Sequence, residues 1–251
     1  FTTGTDSSTG GTVVLIAIGS IVDGDTDVDV TANKLYMQAG SAGAIAGGAD
    51  HLEIAVNTLS LSAGSGGAFV KESNGLTVDS VALSTLQRVA NTSVASTQSG
   101  SWEDLNTTDG GALVLTVQAG GLTVNGGSTS ATTGITAAGS GNVLVDVTGT
   151  LNVNAKLDGG SGNISIHSTG TQTYGADGDV ATTGSTIDVQ ATAADSTIGM
   201  NAGTVFQTNG GNIRVIADST VTVGVLDARS ATGRTGAGTT DQTNWGSVSI
   251  I

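Results

Sequence analysis

The chain has 251 residues and carries 40 Gly, no Pro, no Cys and only 3% aromatic side chains. That excludes disulfides and thiol chemistry, and it leaves too few Phe, Tyr and Trp for an ordinary globular core. The net charge of −14 sets the surface against nucleic acid and anionic membranes, while 11% charged residues and a mean hydropathy of +0.17 do not suit a disordered chain.

Taken in order, the chain reads as short strands between Gly, Ser, Thr, Asn and Asp turns. The first, at 13–17, is apolar. It is too short to span a membrane, as is the whole stretch 12–22, which also lacks the basic flank of a signal peptide. Phe1 in place of Met points to a processed product or a fragment. Residues 23–29 follow, with Asp23, Asp25, Asp27 and Asp29 at every second position. Hard oxygen ligands at that spacing suit a Ca²⁺ ion held in a loop, although the run lacks the spacing and closing Glu of an EF-hand. The alternative is a solvated edge in which Asp27 and Asp29 flank inward-facing Val28 and Val30. Strand patterns continue at 27–31, 52–56, 59–63, 68–71 and 76–81. Residues 81–90 carry either some helical period or two short strands. The polar stretch 91–111, with Trp102, Glu103, Asp104 and Asp109, interrupts the rhythm as an inserted loop.

Strands resume at 112–117 and 122–125, and then a phrase begins to repeat. Gly139-Ser140-Gly141-Asn142 leads into Val143-Leu144-Val145-Asp146-Val147. It returns as Gly160-Ser161-Gly162-Asn163-Ile164-Ser165-Ile166 and as Gly210-Gly211-Asn212-Ile213-Arg214-Val215, with looser copies at 184–189 and 246–250. Alternation sends Val143, Val145 and Val147, with Ile164, Ile166, Ile187, Val189, Ile213 and Val215, to one buried face. Leu144, Asp146, Ser165, His167, Asp188 and Arg214 go to the other. The glycines supply tight corners, and Asn repeated at one corner can stack as a ladder. Val143, Ile164, Ile187, Ile213 and Val248 are then equivalent. The first three gaps, 21, 23 and 26 residues, each suit one turn of a parallel β-helix. The last gap requires an inserted loop, which falls at 227–244 and is rich in Gly, Thr and Arg. Both insertions read as surface loops or as binding loops. The expected fold is therefore all-β, a single right-handed parallel β-helix over residues 1–251. Its coils hold about 20–26 residues and number ten or eleven.

Much of the chain resembles the repeat regions of large bacterial filamentous-haemagglutinin-like β-solenoid adhesins. The resemblance is carried by Ala32-Asn33-Lys34-Leu35, by Leu52-Glu53-Ile54-Ala55-Val56-Asn57-Thr58-Leu59-Ser60 and by Gly67-Ala68-Phe69-Val70-Lys71-Glu72. Asn209-Gly210-Gly211-Asn212-Ile213-Arg214, the segment 222–229 and Trp245-Gly246-Ser247-Val248-Ser249-Ile250 extend it. It implies a secreted, elongated, non-enzymatic surface segment that acts in adhesion or as a structural fibre. Surface glycans are then candidate partners, as are neighbouring repeats of a longer chain. A second reading is a subunit that polymerises end to end, through Val13 and Leu15 at one end and Val248 and Ile250 at the other, because neither strand carries charge that discourages pairing.

A third reading is a β-helix enzyme acting on polysaccharide, for which Asp146, His167 and Asp188 share the outward face. Ion pairs between rungs account for those residues more simply. His51 and His167 are the only histidines, which disfavours a multi-histidine metal site. The seven aromatics (Phe1, Tyr36, Phe69, Trp102, Tyr174, Phe206 and Trp245) suit corner plugs or end caps better than sugar-stacking platforms.

Overall fold

The computed structural model describes residues 11–230 and 244–251, so Phe1 and most of the 227–244 excursion lie outside the described residues. Twenty-three strands form one ladder in which every strand pairing is parallel, and two more form a separate antiparallel hairpin. The fold is a parallel β-helix. Among the described residues there is no helix, and so none long and apolar enough to cross a membrane.

Each full coil contributes three short strands, one to each of three faces. The first face stacks Gly67–Glu72, Leu113–Val117, Val143–Val147, Ile164–Ser168, Ile187–Ala191, Ile213–Ala217 and Val248–Ile250. The second runs from Leu76–Val78 through Leu122–Val124, Leu151–Val153, Gln172–Tyr174 and Thr197–Met200 to Thr220–Thr222. The third runs from Leu105–Thr107 through Thr133–Ala137, Lys156–Asp158, Val180–Ala181 and Val205–Gln207 to Val225–Asp227. One twelve-residue strand, Leu52–Ala63, serves all three. Its start pairs with Gly67–Glu72, its middle with Leu76–Val78 and its end with Leu105–Thr107.

The repeated phrase is legible in the geometry. Val143, Ile164, Ile187, Ile213 and Val248 stack in register, as the spacing requires. The same column continues downward through Leu113, Ala68 and Ile45 to Ile21. Among the described residues it therefore has nine members, against the ten or eleven coils expected, and its eight steps of about 4.8 Å span about 40 Å. The count falls short because one turn is long. Ala68 to Leu113 takes 45 residues, since the antiparallel hairpin Val81–Val89 with Ala95–Trp102 is inserted there. Residues 81–90 are thus neither helix nor two strands, but one strand with a register shift between Leu83 and Leu86. Much of the polar 91–111 stretch is the hairpin's return strand, and Leu105–Thr107 is already back in the ladder. Tyr36 and Trp102 stack face to face, 4.4 Å apart and 8° from parallel, where the hairpin lies against the solenoid.

Corners explain the glycines. Gly139 and Gly160 open their copies of the phrase at φ 82° and 53°. Gly162 packs so close to the coil below that a Cβ would lie 1.9 Å from the carbonyl oxygen of Gly141. At the same corner the Asn ladder forms. Asn163 donates from its backbone N–H and from Nδ2 to Asn142 Oδ1, and its own Oδ1 accepts from the N–H and Oγ1 of Thr186.

Val145, Ile166, Val189 and Val215 form an inward column with 0% exposure. Tyr174 and Phe206 pack edge to face across the lumen, 4.9 Å apart, rather than at a corner or an end. Three polar side chains that enter the lumen, Glu72, Gln172 and Tyr174, are answered locally. Tyr174 Oη donates to Gln172 Oε1, and Gln172 Nε2 donates to the carbonyl of Gln190. Glu72 lies in the column between Ile54 and Val117, fully buried. Its Oε2 accepts from the N–H of Val56 and its Oε1 from that of Asn74, at 3.0 Å each. Burial outweighs these bonds and pushes its carboxyl up to about 7.

Two outcomes follow. Replacing Ile166 with Asp puts an unpartnered carboxylate into the lumen and should cost at least about 3 kcal/mol, read as a large drop in thermal midpoint; an unchanged midpoint would reverse the assignment of strand faces. Glu72 holds its proton more tightly folded than unfolded. Its contribution is full below about pH 4.5 and is lost as pH rises to about 7, by up to about 3 kcal/mol. Denaturant melts of the parent should show that decline, and Glu72→Gln should flatten it.

Candidate functional site

The outward face inherits the register of the lumen, so outward side chains also stand in columns. One column on the first face begins with Asp29, whose N–H donates to the carbonyl of Glu53 at 2.9 Å. It continues from Glu53 to Lys71, Thr116, Asp146, His167 and Gln190. Beside it runs Phe69, Val114, Leu144, Ser165, Asp188, Arg214 and Ser249.

The lower end of the first column carries the densest negative charge. Asp23 lies in the loop that follows Ile21, Asp29 immediately precedes the strand Val30–Gln38, and Glu53 is the second residue of Leu52–Ala63. One carboxylate oxygen from each lies within 4.8 Å of the others. Burial, then the charges of Asp23, Asp25 and Glu53, push the Asp29 carboxyl above its ordinary range, while the Glu53 backbone opposes the shift. Lys71 Nζ reaches Glu53 Oε1 at 3.2 Å. The structure therefore gathers only half of the expected Asp run. Asp25 and Asp27 are exposed, and the loop backbone is held by the carboxylates before them: Asp23 Oδ1 accepts the N–H of Asp25, and Asp25 Oδ1 accepts that of Asp27. Val28, which the solvated-edge reading turned inward, is 47% exposed, whereas Val30 is buried.

Glu53 is the residue that spacing within 23–29 misses. Its signal was present: aligning Asn33 with Asn57, which bond side chain to side chain at 3.2 Å, sets Asp29-Val30 beneath Glu53-Ile54.

Asp146, His167 and Asp188 do come together on one face. Asp146 sits directly below His167, whose Nε2 is buried without a hydrogen-bond partner, and Asp188 stands in the neighbouring column. Asp188 is already engaged. Arg214 grips it from the next coil, Nε to Oδ1 at 2.8 Å and Nη2 to Oδ2 at 2.6 Å, and Gln190 Nε2 adds a bond at 2.9 Å. That bidentate contact holds the Asp188 carboxyl below its ordinary value, against the opposing effect of burial. His51 lies elsewhere, tilted against Phe69 at 5.9 Å.

The two expected assembly strands occupy different faces. Val13 and Leu15 lie at the foot of the second and third faces, under Leu35 and Met37. Val248 and Ile250, 45% and 49% exposed, lie at the head of the first face. Among the described residues the column above Leu15 ends at Leu226, and the column below Val248 ends at Ile21. Head-to-tail stacking in register would therefore set Leu15 over Leu226 and Ile21 over Val248, not Val13–Leu15 over Val248–Ile250. Comparison with protein-family models, with curated proteins and with solved structures finds no significant match for this chain.

Proposed function

We propose that the chain is a structural and adhesive segment of a bacterial surface protein, working outside the cell as a stiff β-solenoid rod without catalytic activity. The observation that carries this reading is the unbroken parallel ladder, nine registers deep, around a lumen filled by branched aliphatic side chains. Such a ladder makes length and stiffness from repetition, and it displays outward columns that a ligand can read along the axis. The resemblance to filamentous-haemagglutinin-like repeats supports the same reading, and the acidic surface favours glycans or cationic partners over nucleic acid or membrane.

The second reading, a subunit that polymerises, is favoured by one specific observation. Val223, Val225, Val248 and Ile250 expose apolar surface on the last coil, where the strands Thr220–Thr222, Val225–Asp227 and Val248–Ile250 each pair on one edge only among the described residues. A further coil fits there, supplied by a longer chain or by a second copy.

Two experiments separate these readings. Immobilised chain should retain at least one member of a polysaccharide panel without releasing reducing ends. Product release that disappears in Asp188→Ala would install the enzyme reading instead. In light scattering and negative-stain microscopy, a rod segment stays monodisperse, whereas a polymerising subunit forms fibres. If fibres form, Val225→Lys with Val248→Lys should abolish them and leave the circular dichroism unchanged. Fibres that survive the double variant would move assembly to the sides of the rod.

A further inference from the structure

The acidic cluster in the lowest described coils holds carboxylate oxygens that no hydrogen bond answers. Glu53 is only 8% exposed, and its Oε2 reaches neither solvent nor a hydrogen-bond partner. Asp23 Oδ2 is in the same condition. Together with Asp29 these residues bring three carboxylates within 4.8 Å, and Lys71 Nζ reaches the other oxygen of Glu53. A carboxylate oxygen cut off from water and from donors is costly unless a cation meets it.

We propose that Asp23, Asp29 and Glu53 form a divalent-cation site that prefers Ca²⁺ to Mg²⁺, and that the ion ties the loop 22–29 to the coil above it. The donors are all hard oxygens, which excludes the softer metals that seek sulfur or imidazole. Ca²⁺ binds oxygens at about 2.3–2.6 Å, so its ligands can stand up to about 5 Å apart, a span that covers this cluster. Mg²⁺ holds its ligands at about 2.0–2.1 Å in a strict octahedron and gives up water reluctantly, which suits it less to a site made by two separate chain segments. Asp23 and Asp29 bracket the loop and Glu53 belongs to the next coil, so an ion shared by all three resists peeling of that loop. Asp25 bonds the loop backbone, Asp27 is exposed, and neither belongs to the cluster of three.

The test is calorimetric titration of the metal-free full chain with CaCl₂ and then MgCl₂ near pH 7.5, alongside thermal melts in Ca²⁺ and in EDTA. One Ca²⁺ per chain should bind, more tightly than Mg²⁺, and should raise the melting midpoint. Asp23→Asn should weaken Ca²⁺ by about tenfold or more, as should Glu53→Gln, because affinity follows the number of ligand charges. Asp25→Asn with Asp27→Asn should bind within about twofold of the parent. Glu53→Gln also loses its contact with Lys71, so Asp23→Asn decides the matter if Glu53→Gln fails to fold. Absence of heat in the parent overturns the site, and so does undiminished binding in a folded Asp23→Asn. Equal losses in Asp23→Asn and in the Asp25/Asp27 double variant would assign chelation to the whole acidic run and overturn the three-residue site.

Discussion

The constraint on which everything else rests is the parallel hydrogen-bonded step of about 4.8 Å between equivalent residues of successive coils. It makes each lumen position its own neighbour. Ile164 must pack on Val143 below and Ile187 above, and Ile166 on Val145 and Val189. Branched aliphatics satisfy that demand on both sides, which is why the core needs so few aromatics. Where a large or polar side chain enters a column, its neighbours adapt. Tyr174 finds the edge of Phe206 and the amide of Gln172 within the same stretch of lumen. Glu72 draws two backbone N–H groups toward itself and still holds its proton far above the usual range.

The same constraint decides what could be read without coordinates. The later coils were legible because Gly-rich corners, three of them Gly-Asn, precede Val143, Ile164, Ile187, Ile213 and Val248, so their register followed from counting. The earlier coils hide it. Leu52–Ala63 runs through all three faces as one strand, so no corner phrase marks where a coil turns. The hairpin was opaque for a different reason. Its first strand slips register between Leu83 and Leu86, which breaks the alternation that identifies a strand, and its partner Ala95–Trp102 is polar and mostly exposed. The site was half legible. Asp23 and Asp29 stand out by local density, but Glu53 joins them only through the 24-residue register between coils that Asn33 and Asn57 mark.

Outward columns inherit an electrostatic problem from this geometry. Two like charges about 4.8 Å apart repel by roughly 3 kcal/mol at an effective dielectric of about 20, and a chain of net charge −14 with a repeating pattern risks stacking them. At two places on the first face an unlike neighbour relieves it: Arg214 stands above Asp188 and Lys71 above Glu53. Below Glu53 the alternation fails, because Asp29 lies directly beneath it and Asp23 folds in from the side. Three carboxylates are thus concentrated in one place, in the lowest of the described coils. A cation at the proposed site would tie the loop before Val30 to the coil that holds Glu53, while higher on the same face Lys71 and Arg214 supply countercharge from within the chain.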